Sequence, residues 1–406
     1  MAHGTVAFSP FEGPFRFVWM LRAFATLGSQ MVAFALALQL YEISRSTLDL
    51  GLLGLIQFGP TLLLALPAGH LTDRFAPGRV ALVVQLFNAA TAAMLVLASL
   101  STTGLTLALF GAALVTGATR AFDHPINTAL IPSTVAREHV AGAVAWTTSI
   151  AKIGTLIGPM AGGALYALAP QATYLMALIL FMAAAGAAAI LPRVAALPSG
   201  QSPGLKSIFA GFGVIRRDHV LGGAMALDML AVLLGGATAL LPAYAVDVLH
   251  TGPVELGFLR SAPGVGAVLV GLWIARHPVQ RNAGRTLLAT TALFGLLTCA
   301  FGLSRHFSLT LAILAAIGAA DMVSIHIRSA LVQLRTPPEL RGRVGAVNGI
   351  FISSSNQIGA FESGLTAYWF GLIPAIVAGG LATVAVTALI GARLPSLRKV
   401  DKPYER

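Results

Sequence analysis

Twelve apolar runs, each about long enough to cross a bilayer, set the terms for what this chain can fold into. At a 1.5 Å rise per residue, a helix needs roughly 20 apolar residues to span about 30 Å of hydrocarbon. Runs of that length cover residues 15–40, 48–70, 80–100, 104–126, 141–165, 171–191, 220–246, 253–276, 284–303, 307–333, 343–369 and 372–394, give or take a few residues at each end. Inside lipid every backbone N–H and C=O must find an internal partner, and long continuous apolar runs do so as helices. The chain therefore reads as an all-α membrane protein with twelve transmembrane helices. Composition agrees, with 56% hydrophobic and only 10% charged residues. A soluble domain carries about 25% charged residues. Residues 1–10 show no basic stretch followed by a cleavage site, so the first run is expected to be retained as a span.

The net charge of +11 is explained by loops rather than by nucleic acid. Basic residues hold cytoplasmic loops inside. With the N-terminus placed in the cytoplasm, most Lys and Arg fall in cytoplasmic segments, among them Arg74, Arg79, Arg216, Arg217, Arg276, Arg281, Arg285, Arg341, Arg343 and the tail from Arg393. Near outer loops lie only Arg45, Arg260 and Arg305. That asymmetry implies an even number of spans with both termini cytoplasmic. Ala, Gly and Arg usage suggests a bacterial chain, hence a bacterial inner membrane. The single cysteine, Cys299, excludes an intramolecular disulfide and a multi-cysteine metal site.

The chain also repeats itself. Gly117-Ala-Thr-Arg120 through Thr128-Ala129-Leu130 lines up with Gly318-Ala-Ala-Asp321 through Ser329-Ala330-Leu331, and Gly142-Ala-Val144 with Gly345-Ala-Val347. The offsets stay near half of the 406 residues, so two pseudo-symmetric six-helix halves are expected: residues 1–192, a cytoplasmic linker at 193–219, and residues 220–406 with the tail. The linker opens with Pro198, Ser199, Gly200 and Pro203. It then places Leu205, Ile208, Phe209 and Phe212 at helical spacing, with Lys206, Arg216 and Arg217 on other faces, as an interfacial amphipathic helix would.

Ionisable residues inside a span cost several kcal/mol by most estimates and are usually functional or paired. Eight occur: Arg22, Arg120, Asp123, Lys152, Asp228, Asp321, Arg328 and Glu362. They fall on spans 1, 4, 5, 7, 10 and 11, and spans 3, 6, 9 and 12 carry none apart from Arg285 and Arg393 at their cytoplasmic ends. The pattern predicts a central cavity ringed by spans 1, 4, 7 and 10, with the purely apolar spans facing lipid and acids pairing with bases across the cavity. By depth, Asp321, Arg120 and Lys152 fall near mid-membrane, Asp123, Asp228 and Arg22 toward the cytoplasm, Glu362 toward the outside, and Arg328 near the cytoplasmic end. The acids Asp321, Asp228, Asp123 and Glu362 are candidate proton-coupling sites, with permanent structural ion pairs as the alternative. Arg22, Arg120, Lys152 and Arg328 are candidate substrate-cavity residues.

Two motifs and two further stretches carry a resemblance. The loop Gly69-x-Leu71-x-Asp73-Arg74 followed by Gly78-Arg79 returns in degraded form as Gly271-Leu-Trp-Ile-Ala-Arg276 and Gly284-Arg285. Gly154-x-x-x-Gly158-Pro159-x-x-Gly162-Gly163 combines close-packing glycines with a helix-bending proline. Gln333 to Gly349 and Leu205 to Phe212 form two further stretches. Together these resemble the major facilitator superfamily, within it the branch that contains the bacterial enterobactin exporter. The resemblance implies a transporter working by alternating access. It implies that Gly69, Asp73, Arg74 and Arg79 form a cytoplasmic gate, with Asp73 facing the N-terminus of span 11, where a helix dipole favours an anion. It makes Gly154, Gly158, Pro159, Gly162 and Gly163 similar to the antiporter motif of exporters, and Arg120 similar to the span-4 arginine of proton-coupled members. Four departures stand out. Ala76-Pro77 displaces the Gly-Arg pair, Val80 replaces the second basic residue, and Ala275 stands where Asp73 stands in the first half. Asp123-His124 also follows Arg120 where the pattern has Gln-Gly.

The leading expectation is thus a proton-coupled exporter of small organic molecules such as siderophores or drugs, with substrate, protons and membrane lipid as partners and a monomer sufficient for function. A divalent metal-ion transporter is one alternative, since His124 lies beside Asp123 and His326 near Asp321; an uncoupled facilitator is another. No cofactor and no resident metal are expected. No paired nucleophile and base, phosphate-cradling Gly loop on a strand or soluble domain points to an enzyme.

Overall fold

The computed structural model describes residues 11, 13–101, 104–191, 212–277 and 281–401. The linker residues 193–211, with Leu205, Lys206, Ile208 and Phe209, lie outside the described residues. The helices are α1 (Phe15–Ser44), α2 (Thr47–Arg74), α3 (Pro77–Ala98), α4 (Leu105–Arg120), α5 (Asp123–Thr134), α6 (Val140–Tyr166), α7 (Pro170–Ile190), α8 (212–217), α9 (His219–Gly235), α10 (Leu241–Asp247), α11 (Pro253–Arg276), α12 (Ala283–Leu303), α13 (Phe307–Arg335), α14 (Arg341–Phe370), α15 (Leu372–Arg393) and the short α16 (Pro395–Arg398). With α4–α5 and α9–α10 each counted as one interrupted span, twelve membrane-length segments result. Among the described residues, eleven helices are long and apolar enough to cross a membrane by length and composition. The twelfth, α14, is 30 residues long and more polar, because Ser353, Ser354, Ser355, Asn356, Gln357 and Glu362 fall along it.

Both interruptions have a local cause. Pro125 has no N–H to donate, and its ring opposes the carbonyl four residues back. The turns before it tighten, with Ala121 N–H donating to Ala118 and Phe122 N–H to Thr119 at 3.3 and 3.1 Å. Span 4 therefore continues as α5 to Thr134, beyond the expected end near residue 126. In span 7, Gly235-Gly236 and Pro242 flank a 3₁₀ turn at Ala237–Leu240.

The chain divides into two compact units, Met1–Gln39 with Ile56–Ser202 and Leu40–Leu55 with Pro203–Arg406. Glycine contacts repeat within the units. In the first, a Cβ on Gly117 of α4 would overlap the Gln57 carbonyl of α2, and one on Gly158 of α6 would overlap Gln30 of α1. In the second, Gly318 of α13 meets the Pro263 carbonyl of α11 in the same way. Gly359 of α14 sits 2.9 Å, measured from its would-be Cβ, from the Val232 and Leu233 carbonyls of α9. Backbones this close need small residues on the facing stripe. The α1–α2 tip belongs to the second unit through the same device: a Cβ on Gly51 would lie 3.0 Å from the Phe361 carbonyl, and one on Gly364 2.6 Å from that of Thr47.

These contacts are directly testable. Gly117→Ala is expected to destabilise the purified protein by about 1–3 kcal/mol through overpacking. Gly186→Ala, whose Cβ meets open space, should be neutral or stabilising. Thermal unfolding in one detergent compares them, and equal melting temperatures would contradict the packing described.

Candidate functional site

The first unit holds a cavity of about 670 Å³. It is lined by Arg22 of α1, Arg120 at the end of α4, Asp123 and His124 at the start of α5, and Lys152 of α6. The break before Pro125 puts Arg120 at the end of one helical segment and Asp123 at the start of the next, both lining the same space. Arg120, Asp123, His124 and Lys152 are exposed there, and Arg22 is half-buried. The described ion pairs are Arg45–Asp247, His139–Glu138, Arg328–Asp228 and Arg335–Asp218, so none of them engages Arg22, Arg120 or Lys152.

Behind the charges lies a buried amide–hydroxyl relay. Thr119 donates to Asn88 at 2.8 Å, and the Asn88 amide donates to Gln85 at 3.4 Å. Both amides sit on α3 and line the cavity. Here the structure corrects the expectation that spans 3 and 6 simply face lipid: α3 turns Gln85 and Asn88 inward, and α7 contributes Phe181. Gln85, Asn88 and Thr91 recur every three residues on an otherwise apolar helix, a polar stripe without charge.

The second unit is arranged differently. Arg328 of α13 pairs with Asp228 of α9, with side chains only 5% and 10% exposed. The expected pairing of acid with base is seen here inside one unit, and Arg328 lines neither cavity. Asp228 and Asp321 share a crevice of about 10 Å³ with Thr290, Thr291 and Ser324, again with a third helix of a triplet, α12, contributing polar groups. Glu362 stands apart on α14, where Thr366 donates to its carboxylate at 3.3 Å. Among the described residues, no three His, Cys, Asp or Glu side chains come together to hold a metal ion.

The remaining motif residues are structural in their immediate surroundings. Gly154, Gly158 and Gly162 of α6 face Thr26, Gln30 and Phe34 of α1, two i, i+4 ridges meeting one another. Gly163 and Pro159 are buried beside them. In the loop from Gly69 to Arg79, Gly69 has open space around its Cβ position, and Asp73 is half-buried at the end of α2. The Arg74 guanidinium lies 5.9 Å from the Phe75 ring, Pro77 opens α3 where a missing N–H is harmless, and Arg79 is exposed. The second-half copy keeps Gly284 because the tail docks there: Gly284 N–H donates to the Val400 carbonyl at 3.0 Å, and Asn282 N–H to the Asp401 carboxylate at 2.8 Å. A cluster the sequence did not announce joins α1 to α10: Tyr41 donates to Asp247, and Arg45 reaches it at 3.4 Å.

The buried pair yields a prediction. Asp228→Leu leaves Arg328 buried without this partner and should cost about 3–5 kcal/mol. Asp228→Leu combined with Arg328→Met should recover most of that loss in unfolding of the purified protein; additive losses would refute the pairing.

Comparison with known proteins agrees with this architecture. A family model described as transmembrane secretion effector matches residues 5–404. The enterobactin exporter EntS of Shigella boydii serotype 18 is 26% identical over 390 residues, covering 93% of this chain and 91% of that protein. EntS of Escherichia coli O1:K1 / APEC is equally similar. Among solved structures, a bacterial homologue of the human lysosomal transporter Spinster, inward-facing and unoccupied, aligns with TM-score 0.67 at 15% identity over 95% of this chain and 96% of that one. A bacterial homologue of the iron transporter ferroportin, inward-facing, aligns with TM-score 0.66 at 18% identity over 93% and 98%. At such identities the structural likeness speaks for the fold alone.

Proposed function

The chain belongs to the transmembrane secretion effector family of major facilitator transporters, and we propose that it is a proton-coupled exporter of small organic anions. The observation that carries this function is the first-unit cavity, where three cations from three helices face one carboxylate. Holding cations within membrane spans is costly, and an anionic ligand offsets that cost only while it is bound. Such a ligand has the differential affinity that shifts a transporter between states. Export as the direction is supported by the family's description and the relatives named as enterobactin exporters, together with the glycine–proline stripe of α6.

In this scheme Arg22, Arg120 and Lys152 hold the substrate. Asp321, in its crevice beside the Arg328–Asp228 pair, takes and releases the proton, with Asp123 and Glu362 as further candidates. Asp73, Arg74 and Arg79 hold the cytoplasmic gate. The protein works as a monomer in a bacterial inner membrane with both termini inside, an orientation supported by its basic loops.

Asp321→Asn should abolish gradient-driven export of organic anions from cells or into everted vesicles while the protein remains at wild-type level in the membrane. Unchanged export by the variant would remove Asp321 from coupling. Inhibition by divalent metal ions at pH 7, with transport of the metal itself, would point instead to a metal transporter.

A further inference from the structure

We propose that the crevice between α9, α12 and α13 in the second unit binds one bare monovalent metal cation such as sodium. The inference goes beyond the exporter function: it concerns an ion held at Asp321, whether or not that carboxylate also carries the coupling proton.

The lining is made of oxygen acceptors. Asp228 of α9 and Asp321 of α13 supply carboxylates, and Thr290 and Thr291 of α12 and Ser324 of α13 supply hydroxyls. Thr290 donates to the Thr286 carbonyl at 2.9 Å, and Thr291 to that of Leu287 at 2.9 Å. Their protons are spent on their own helix, and lone pairs are what remains for the crevice. Ser324 differs from them. It is 6% exposed, and among the described residues its hydroxyl has no hydrogen-bond partner. A serine within a helix has the carbonyl one turn back to bond, and a buried hydroxyl left without a partner costs free energy. A cation coordinated by its oxygen offsets that cost.

Charge and size choose the ligand. Two carboxylates stand against the one guanidinium of Arg328, which pairs with Asp228. A water molecule leaves that difference of one charge in place, and one monovalent cation balances it. The crevice measures about 10 Å³, room for about one water-sized body. Mg²⁺ keeps several of its waters and Ca²⁺ takes roughly 6–8 oxygens, so neither finds its coordination here. Ala231, Ala320 and Phe294 complete the lining with apolar surface, which lowers the local dielectric and strengthens the attraction between an ion and the carboxylates.

The test uses the purified full chain in detergent at fixed pH, with choline chloride exchanged for sodium chloride at constant ionic strength so that screening is unchanged. An ion that binds the folded state raises the melting temperature. The expected result is an upward shift that saturates with sodium, and radioactive sodium displaced by unlabelled sodium but not by choline or magnesium. Thr291→Val, which removes the lone pairs and keeps the shape, and Ser324→Ala should each weaken sodium binding about tenfold. Asp321→Asn should abolish it. Thr291→Ser restores the oxygen and should bind as the wild type does, which separates loss of a ligand from loss of the fold. Absence of saturable sodium binding, meaning a crevice that holds water only, would overturn the proposal. So would binding unchanged in Asp321→Asn, or equal displacement by magnesium. If anions are exported by a protein that binds no sodium, this site falls and the exporter function stands. If sodium binds as described and no anion is exported, the site stands and the exporter function falls.

Discussion

A charged side chain held within a membrane span must be paired, hydrated or used, and that requirement organises both halves of this protein. The two units meet it in opposite ways. In the second, Arg328 and Asp228 are packed against each other, nearly out of reach of solvent. In the first, Arg22, Arg120 and Lys152 stand around an open cavity of about 670 Å³. A permanently paired charge contributes structure; a charge kept accessible in a cavity is available to a ligand.

What permits this difference is a common frame. The same small-residue contacts recur in the two units, Gly117 on α2 and Gly318 on α11, Gly158 on α1 and Gly359 on α9. Backbones that touch leave no slack, so each unit can carry different side chains on the same scaffold. The interruptions at Pro125 and at Gly235-Gly236 add polar backbone to spans 4 and 7. In lipid such breaks are tolerated where they are buried in protein or line a cavity, and the break in span 4 lies at the cavity wall, beside Arg120 and Asp123.

Much of this was legible in the sequence because the bilayer imposes a length and a cost. The apolar run 141–165 matches α6, Val140–Tyr166, within a residue at each end, because run length follows directly from the bilayer's thickness. Arg22, Arg120, Asp123 and Lys152 stood out individually, and the structure gathers them into one cavity. Three things were not legible for physical reasons. Gln85 and Asn88 carry no charge, so the pattern of ionisable groups does not mark α3 as a cavity helix. The Arg328–Asp228 pair and the Tyr41–Asp247 contact join residues far apart in the chain, and local pattern does not encode a partner's position. The retention of Gly284 in the second-half loop depends on the docked tail at Leu397 to Asp401, a tertiary fact that the degraded motif conceals.

In the proposed function, an anion held by the first-unit cations is exchanged for protons. Proton flux measured with a pH-sensitive dye in liposomes containing the purified protein, under an imposed pH gradient and with a panel of organic anions added in turn, tests it most directly. Proton movement triggered by an anion, and absent from protein-free liposomes, is the predicted result. Uptake of an anion that proceeds equally well without a gradient and moves no protons would contradict it, and would make the protein a facilitator.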